Sequence, residues 1–175
     1  LACTHSCGED HFLHEAVRCL NQQAVELLLQ AKSGEVDAQC QGRRPLHLAI
    51  QRCSVEGDVG YTISKLLLEH GASPDTLSGD IGGHEAPLQG AAKRGTLAAM
   101  ELLLSHGANP GAIDASGFAP LHTVCHQADI LGVHYTKKLL EMMLRYGAWP
   151  CQRDALGHEP AHYLVGEAKE LRGLL

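Results

Sequence analysis

The sequence predicts an all-α solenoid of about five helix-turn-helix units joined by hairpin-like turns, and three observations predict it. A block opening with Pro-Leu recurs as Arg44-Pro45-Leu46-His47-Leu48-Ala49-Ile50, Ala86-Pro87-Leu88-Gln89-Gly90-Ala91-Ala92 and Ala119-Pro120-Leu121-His122-Thr123-Val124-Cys125. Weaker copies stand at Phe12-Leu13-His14-Glu15-Ala16 and Pro160-Ala161-His162-Tyr163-Leu164. Self-similarity of this kind marks repeat architectures. A second block follows each of the first four copies: Glu26-Leu27-Leu28-Leu29, Leu66-Leu67-Leu68-Glu69-His70-Gly71-Ala72, Leu102-Leu103-Leu104-Ser105-His106-Gly107-Ala108 and Met142-Met143-Leu144-Arg145-Tyr146-Gly147-Ala148. Aromatic residues are only 4% of the chain, so the core must be built from Leu, Ala, Val and Ile, which suits closely packed small helices better than a sandwich or barrel.

Each element has its reason. Proline in the first turn presets φ and gives up no hydrogen bond, because that N–H has no intrahelical partner, so it starts the first helix of each unit. The leucine block forms the second helix, and the glycine after it supplies a left-handed C-cap. The polar stretch that follows, as from Asn109 to Gly117, reverses the chain into the next unit. One helix pair cannot bury its own apolar stripe. Leu46, Ala49, Ile50, Leu67 and Leu68 must therefore pack on Leu88, Ala91, Ala92, Leu103 and Leu104 of the following unit.

These blocks resemble the ankyrin-repeat family, whose repeat of about 33 residues opens its first helix with Thr-Pro-Leu-His and closes its second with Leu-Leu-Leu-x-x-Gly-Ala. The resemblance covers roughly residues 9–175. Leu13, Leu46, Leu88, Leu121 and Ala161 stand 33, 42, 33 and 40 residues apart, so standard and lengthened units alternate. The expected organisation is an N-terminal leader over 1–8, then units at about 9–41, 42–83, 84–116, 117–156 and a truncated 157–175. The family's threonine is replaced by Arg44, Ala86, Ala119 and Glu159, so the hydroxyl that bonds the motif histidine is missing, and Gln89 replaces the histidine itself. Phe12 stands for proline in the first unit, which resembles an N-terminal cap. The chain opens on Leu1 rather than Met, as a processed end or a fragment edge would, and stops at Leu174-Leu175 where leucines should be buried. The last feature suggests that the native chain continues or that another protein covers this end.

Both long units carry extra residues between their helices, at 53–60 and 128–134, and the turn from Gly79 to His84 has three more. The insertions end in related strings, Val59-Gly60-Tyr61-Thr62-Ile63-Ser64-Lys65-Leu66-Leu67 and Val133-His134-Tyr135-Thr136-Lys137-Lys138-Leu139-Leu140. Thr62 and Thr136 are expected to cap or begin the second helix, with each tyrosine packed over the lengthened turn. The competing expectation makes the insertions a second contact ridge.

At 175 residues the chain is the size of one domain. It is 45% hydrophobic and 19% charged, which excludes a disordered tail, and no apolar run is long enough for membrane insertion. The net charge of -6 argues against nucleic acid as the main partner. Seven cysteines, with Cys19, Cys40, Cys53, Cys125 and Cys151 set singly in regular segments, point to a reducing intracellular compartment, most simply the cytoplasm.

The twelve histidines do not spell a catalytic or metal site. His14, His47, His122 and His162 occupy the motif position, which the resemblance makes a scaffold role, and His70 and His106 precede the capping glycine. Cys3, His5, Cys7 and His11 offer zinc-type ligands, but all within nine residues rather than in two separated pairs. No nucleophile elbow or phosphate loop is present. Asp75, Asp80, Asp154 and Glu159 fall in predicted turns as solvated carboxylates. No enzyme activity, cofactor or metal is expected.

The resemblance implies a protein-protein interaction module, a scaffold or adaptor that holds a protein partner on turn tips and first helices. The candidates at tips are Gln41, Arg43, Asp80, His84, Glu85, Ser116, Phe118, Asp154 and His158. Those on first helices are Gln51, Arg52, Lys93, Arg94, His126 and Gln127. Phe118 is either an aromatic anchor or a residue folded back on its neighbour, and Trp149 is open to the same two readings. Two further functions fit: a substrate-recognition subunit of a ubiquitin ligase, and a structural subunit built into a large assembly.

Overall fold

The structure is a computed structural model, and it describes residues 11–31, 36–79 and 85–175. Among these, nine α-helices follow one another: α1 (His11–Arg18), α2 (Gln22–Gln30), α3 (Pro45–Ile50), α4 (Val59–Glu69), α5 (Pro87–Arg94), α6 (Leu97–Ser105), α7 (Pro120–His126), α8 (Ala128–Leu131) and α9 (Val133–Arg145). Two 3-10 segments, Pro160–Tyr163 and Gly166–Leu174, close the chain. The all-α expectation holds. Helices α1, α3, α5, α7 and the segment Pro160–Tyr163 contact one another in sequence as one row, and α2, α4 and α6 form a second row behind them.

Local chemistry sets the helix ends. Pro45, Pro87, Pro120 and Pro160 each open their segment after an extended residue. At the far end of α4 the chain turns at Gly71, whose φ of 91° suits a residue without a Cβ. Gly71 N–H then donates to Leu68 O and Ala72 N–H to Leu67 O, and the buried Ala72 seals the apolar side of the cap. This is the physical content of the Leu-Leu-Leu-x-x-Gly-Ala block.

The core lies between the two rows as one continuous apolar cluster from Leu13 to Leu171, and it contains the Leu46-to-Leu104 set expected to pack across units. A hydrogen bond between neighbouring repeats accompanies it. The motif side chain of one repeat donates from a terminal nitrogen to the carbonyl two residues before the next proline. His14 Nε2 reaches Arg43 O at 3.0 Å, His47 Nε2 Glu85 O at 3.0 Å, Gln89 Nε2 Phe118 O at 3.3 Å and His122 Nε2 His158 O at 3.2 Å. Gln89 is thus an equivalent and not a gap. Without the motif threonine, His122 Nδ1 accepts the Ala119 N–H instead, while His47 Nδ1 is buried with no partner.

The insertions differ from expectation. Helix α4 begins ahead of Thr62, because Asp58 is the cap: its carboxylate accepts the N–H groups of Tyr61 at 2.6 Å, Ser54 at 2.6 Å and Val55 at 3.1 Å. Burial alone would raise the Asp58 pKa, but these donors and Gly60 outweigh it and hold the carboxyl below its ordinary value. Thr62 only returns its hydroxyl to Asp58 O. In the second insertion α9 starts at Val133 after Gly132, and Thr136 is fully buried. Tyr135 reaches past its own turn to the preceding repeat, donating to Gly95 O at 2.9 Å and accepting from Leu97 N at 3.3 Å.

Candidate functional site

Two of the turn tips are small hairpins, each built around a single carboxylate. Asp114 Oδ1 accepts the N–H groups of Ser116 and Phe118, and Asp114 N–H donates to Phe118 O. Asp154 repeats this with Leu156 and His158. Tyr163 also donates its hydroxyl to Asp154, which raises the Tyr163 pKa to about 12. Asp154 was expected to be solvated, yet it is buried, with Oδ1 accepting the Leu156 and His158 N–H groups and Oδ2 the Tyr163 hydroxyl. Asp75 stays exposed as expected and accepts the Asn109 N–H of the next turn, and Glu159 pairs with Arg153 at 3.6 Å.

Between the Asp114–Phe118 tip and the ends of α5 and α7 lies a hollow of about 420 Å³ lined by Lys93, Asp114, Ser116, Phe118, Thr123, His126 and Gln127. Five of these were singled out from the sequence. Lys93 Nζ stands 3.3 Å from Glu85 and 3.8 Å from Asp114, and Gln127 Nε2 donates to Lys93 O at 2.7 Å. These bonds tie the floor of the hollow to two successive repeats. Phe118 is half-buried, with its ring centroid 5.2 Å from Tyr163 and 5.6 Å from His122, so it folds onto its neighbours. His126 and His158 are exposed and lean on the same tyrosine at 5.8 and 5.9 Å, and His162 stacks on His158.

The other candidates are spread along the row. Arg43 donates to Gln51 at 3.0 Å, Gln41, Arg52 and Arg94 are exposed, and Trp149 is 75% exposed on another surface beside Pro110 and Gln152. Asp80 and His84 lie outside the described residues, as do Cys3, His5, Cys7 and the side chain of His11. Tyr163, Thr123 and Asp114 were missed. The signal for the first two was register, since Tyr163 and Thr123 each follow the motif histidine by one place.

Burial pushes the thiols of Cys53 and Cys125 up to about 11 and about 12, away from nucleophilic thiolate. Among the described residues no group of three or more His, Cys, Asp or Glu could hold a metal ion, and no helix is long and apolar enough to cross a membrane.

Comparison with known proteins agrees with the geometry. Residues 41–78 match the family model described as ankyrin repeat. The chain is 38% identical over 108 residues, 61% of its length, to "Putative E3 ubiquitin-protein ligase XBAT34" of Arabidopsis thaliana, of which it covers 27%. It is 35% identical over 113 residues, 63% of its length, to the B-cell lymphoma 3 protein homolog of Mus musculus, of which it covers 22%. Over 58 residues, 33% of its length, it is 41% identical to palmitoyltransferase ZDHHC13 of Homo sapiens, of which it covers 9%. The chain thus spans about a quarter or less of these relatives.

Proposed function

We propose that this chain, which carries ankyrin repeats, is a non-catalytic protein-binding module that holds a protein partner along its turn tips and first helices. The observation that carries this is the hollow at Lys93, Ser116, Phe118, His126 and Gln127, where side chains from a tip and two first helices converge around open space. The reading treats residues 9–175 as one repeat domain behind a leader over 1–8. Free thiols at Cys19, Cys53, Cys125 and Cys151 support a reducing, intracellular setting for it.

The likeness to a protein named as a ubiquitin ligase favours a second reading, in which the repeats hold a target for an enzyme acting from elsewhere. Both use the same face. Cross-linking mass spectrometry on the native complex tests the face, because four of its lysines are sorted: Lys93 lies in the last turn of a first helix, while Lys65, Lys137 and Lys138 lie on second helices. Partner cross-links through Lys93 are expected. Links confined to Lys65, Lys137 and Lys138 would overturn this face and leave a structural subunit built into an assembly.

A further inference from the structure

We propose that the face described above takes an Asp/Glu-rich segment of its protein partner. The proposal rests on the binding reading and adds the chemistry of what is bound. Four and five places after the motif side chain, at or just past the ends of the first helices, stand Arg18 and Cys19, Gln51 and Arg52, Lys93 and Arg94, His126 and Gln127. Lys93, His126 and Gln127 wall the hollow. Since α1, α3, α5 and α7 stack as one row, the equivalent residues of α1 and α3 stand in the same file. None of these eight is acidic and four are Arg or Lys, on a chain whose net charge is -6.

Three carboxylates along the row are already engaged. Glu15 pairs with Arg18 at 4.0 Å, Glu85 with Lys93, and Asp114 is taken by its own turn, by Gln89 and by Lys93. Arg52 and Arg94 are exposed and have no ion pair or side-chain hydrogen bond among the described residues. A guanidinium is built to take a carboxylate through two parallel bonds, so these two positions lack the partner their geometry suits. Gln51 and Gln127 add amides between the charges. A continuous phosphate chain fits less well, because its regularly spaced charges would have to run past Glu85 and Asp114 as well, whereas separate carboxylates can be placed at Arg52 and Arg94 alone. The ring of Phe118 offers an apolar neighbour in the hollow for a side chain flanking the acids.

The test is selection of a random peptide display library on the immobilised full chain, followed by fluorescence anisotropy on a synthesised winner. Selected peptides should be enriched in Asp and Glu. The double variant Arg52→Glu/Arg94→Glu should weaken binding about tenfold or more, and added salt should weaken it further. Both residues are exposed, so a thermal melt should match the parent, and Lys65→Glu/Lys137→Glu on the second helices should bind as the parent does. Neutral or basic winners would overturn the acidic assignment while leaving the binding reading standing. No enrichment at all would count against the binding reading itself. A labelled oligothymidylate that binds as tightly as the peptide and fails with the same double variant would replace the protein partner by nucleic acid.

Discussion

His47 shows what the inter-repeat bond demands of one residue. Its ring is buried, Nε2 donates to Glu85 O, and Nδ1 has no partner. Burial is the largest influence on its pKa and lowers it, aided by Arg44 and Arg43 and opposed by the Glu85 carbonyl. The unfolded chain therefore binds a proton more readily than the folded one. The stability that neutral His47 contributes is present above the ordinary imidazole value and is lost as pH falls below it toward the folded pKa. His47→Gln keeps a terminal N–H donor, as Gln89 does one repeat later, and removes the titration. Its unfolding free energy in urea should decline less steeply on acidification, by at most about 1.4 kcal/mol per pH unit. A parental pH slope in the variant would acquit this ring. The equivalence of Gln89 and histidine was illegible in the sequence, because one-letter identity hides that both place an N–H donor at the same reach.

Among the elements, α4 and α9 depart furthest from a plain repeat, and their starts are decided by caps. Asp58 gathers three backbone donors that would otherwise be orphaned in the first insertion. Asp58→Ala should cost about 1–2 kcal/mol in urea unfolding, and Thr62→Ala clearly less. Equal losses would return the cap to Thr62. The second insertion is held from behind. Tyr135 bonds Gly95 and Leu97, and Leu131 presses so near Gly95 that a Cβ there would lie 2.5 Å from its Cδ2. Ile130, on the same short helix, is 87% exposed. The sequence showed two related insertions with Thr-bearing strings. It did not show that the first closes on a local carboxylate and the second on the repeat before it, because those contacts depend on neighbours brought close by stacking.

At the scale of the molecule, stability passes from repeat to repeat through shared apolar faces. Leu88 is fully buried at the centre of the first row, in contact range of both α3 and α7 through α5. Leu88→Ala should cost about 2–5 kcal/mol. Hydrogen exchange should then show protection falling in α5 first and in its neighbours α3 and α7, with α1 least affected. A uniform loss from α1 to α9 would mean a single cooperative block rather than a nearest-neighbour stack. By itself the sequence determined the all-α repeat, the proline starts, the Gly-Ala ends and the set of leucines in the core. Those features depend on φ preferences and apolar spacing along one stretch of chain, and they are written there residue by residue. The tertiary structure alone decided that Asp154 is buried under Tyr163, that Phe118 lies against the Tyr163 ring of the next repeat, and that Lys93, Phe118 and His126 share one hollow. Each of those outcomes joins residues from different repeats, and only the stacking geometry sets which side chains meet and which carboxylates are already spent.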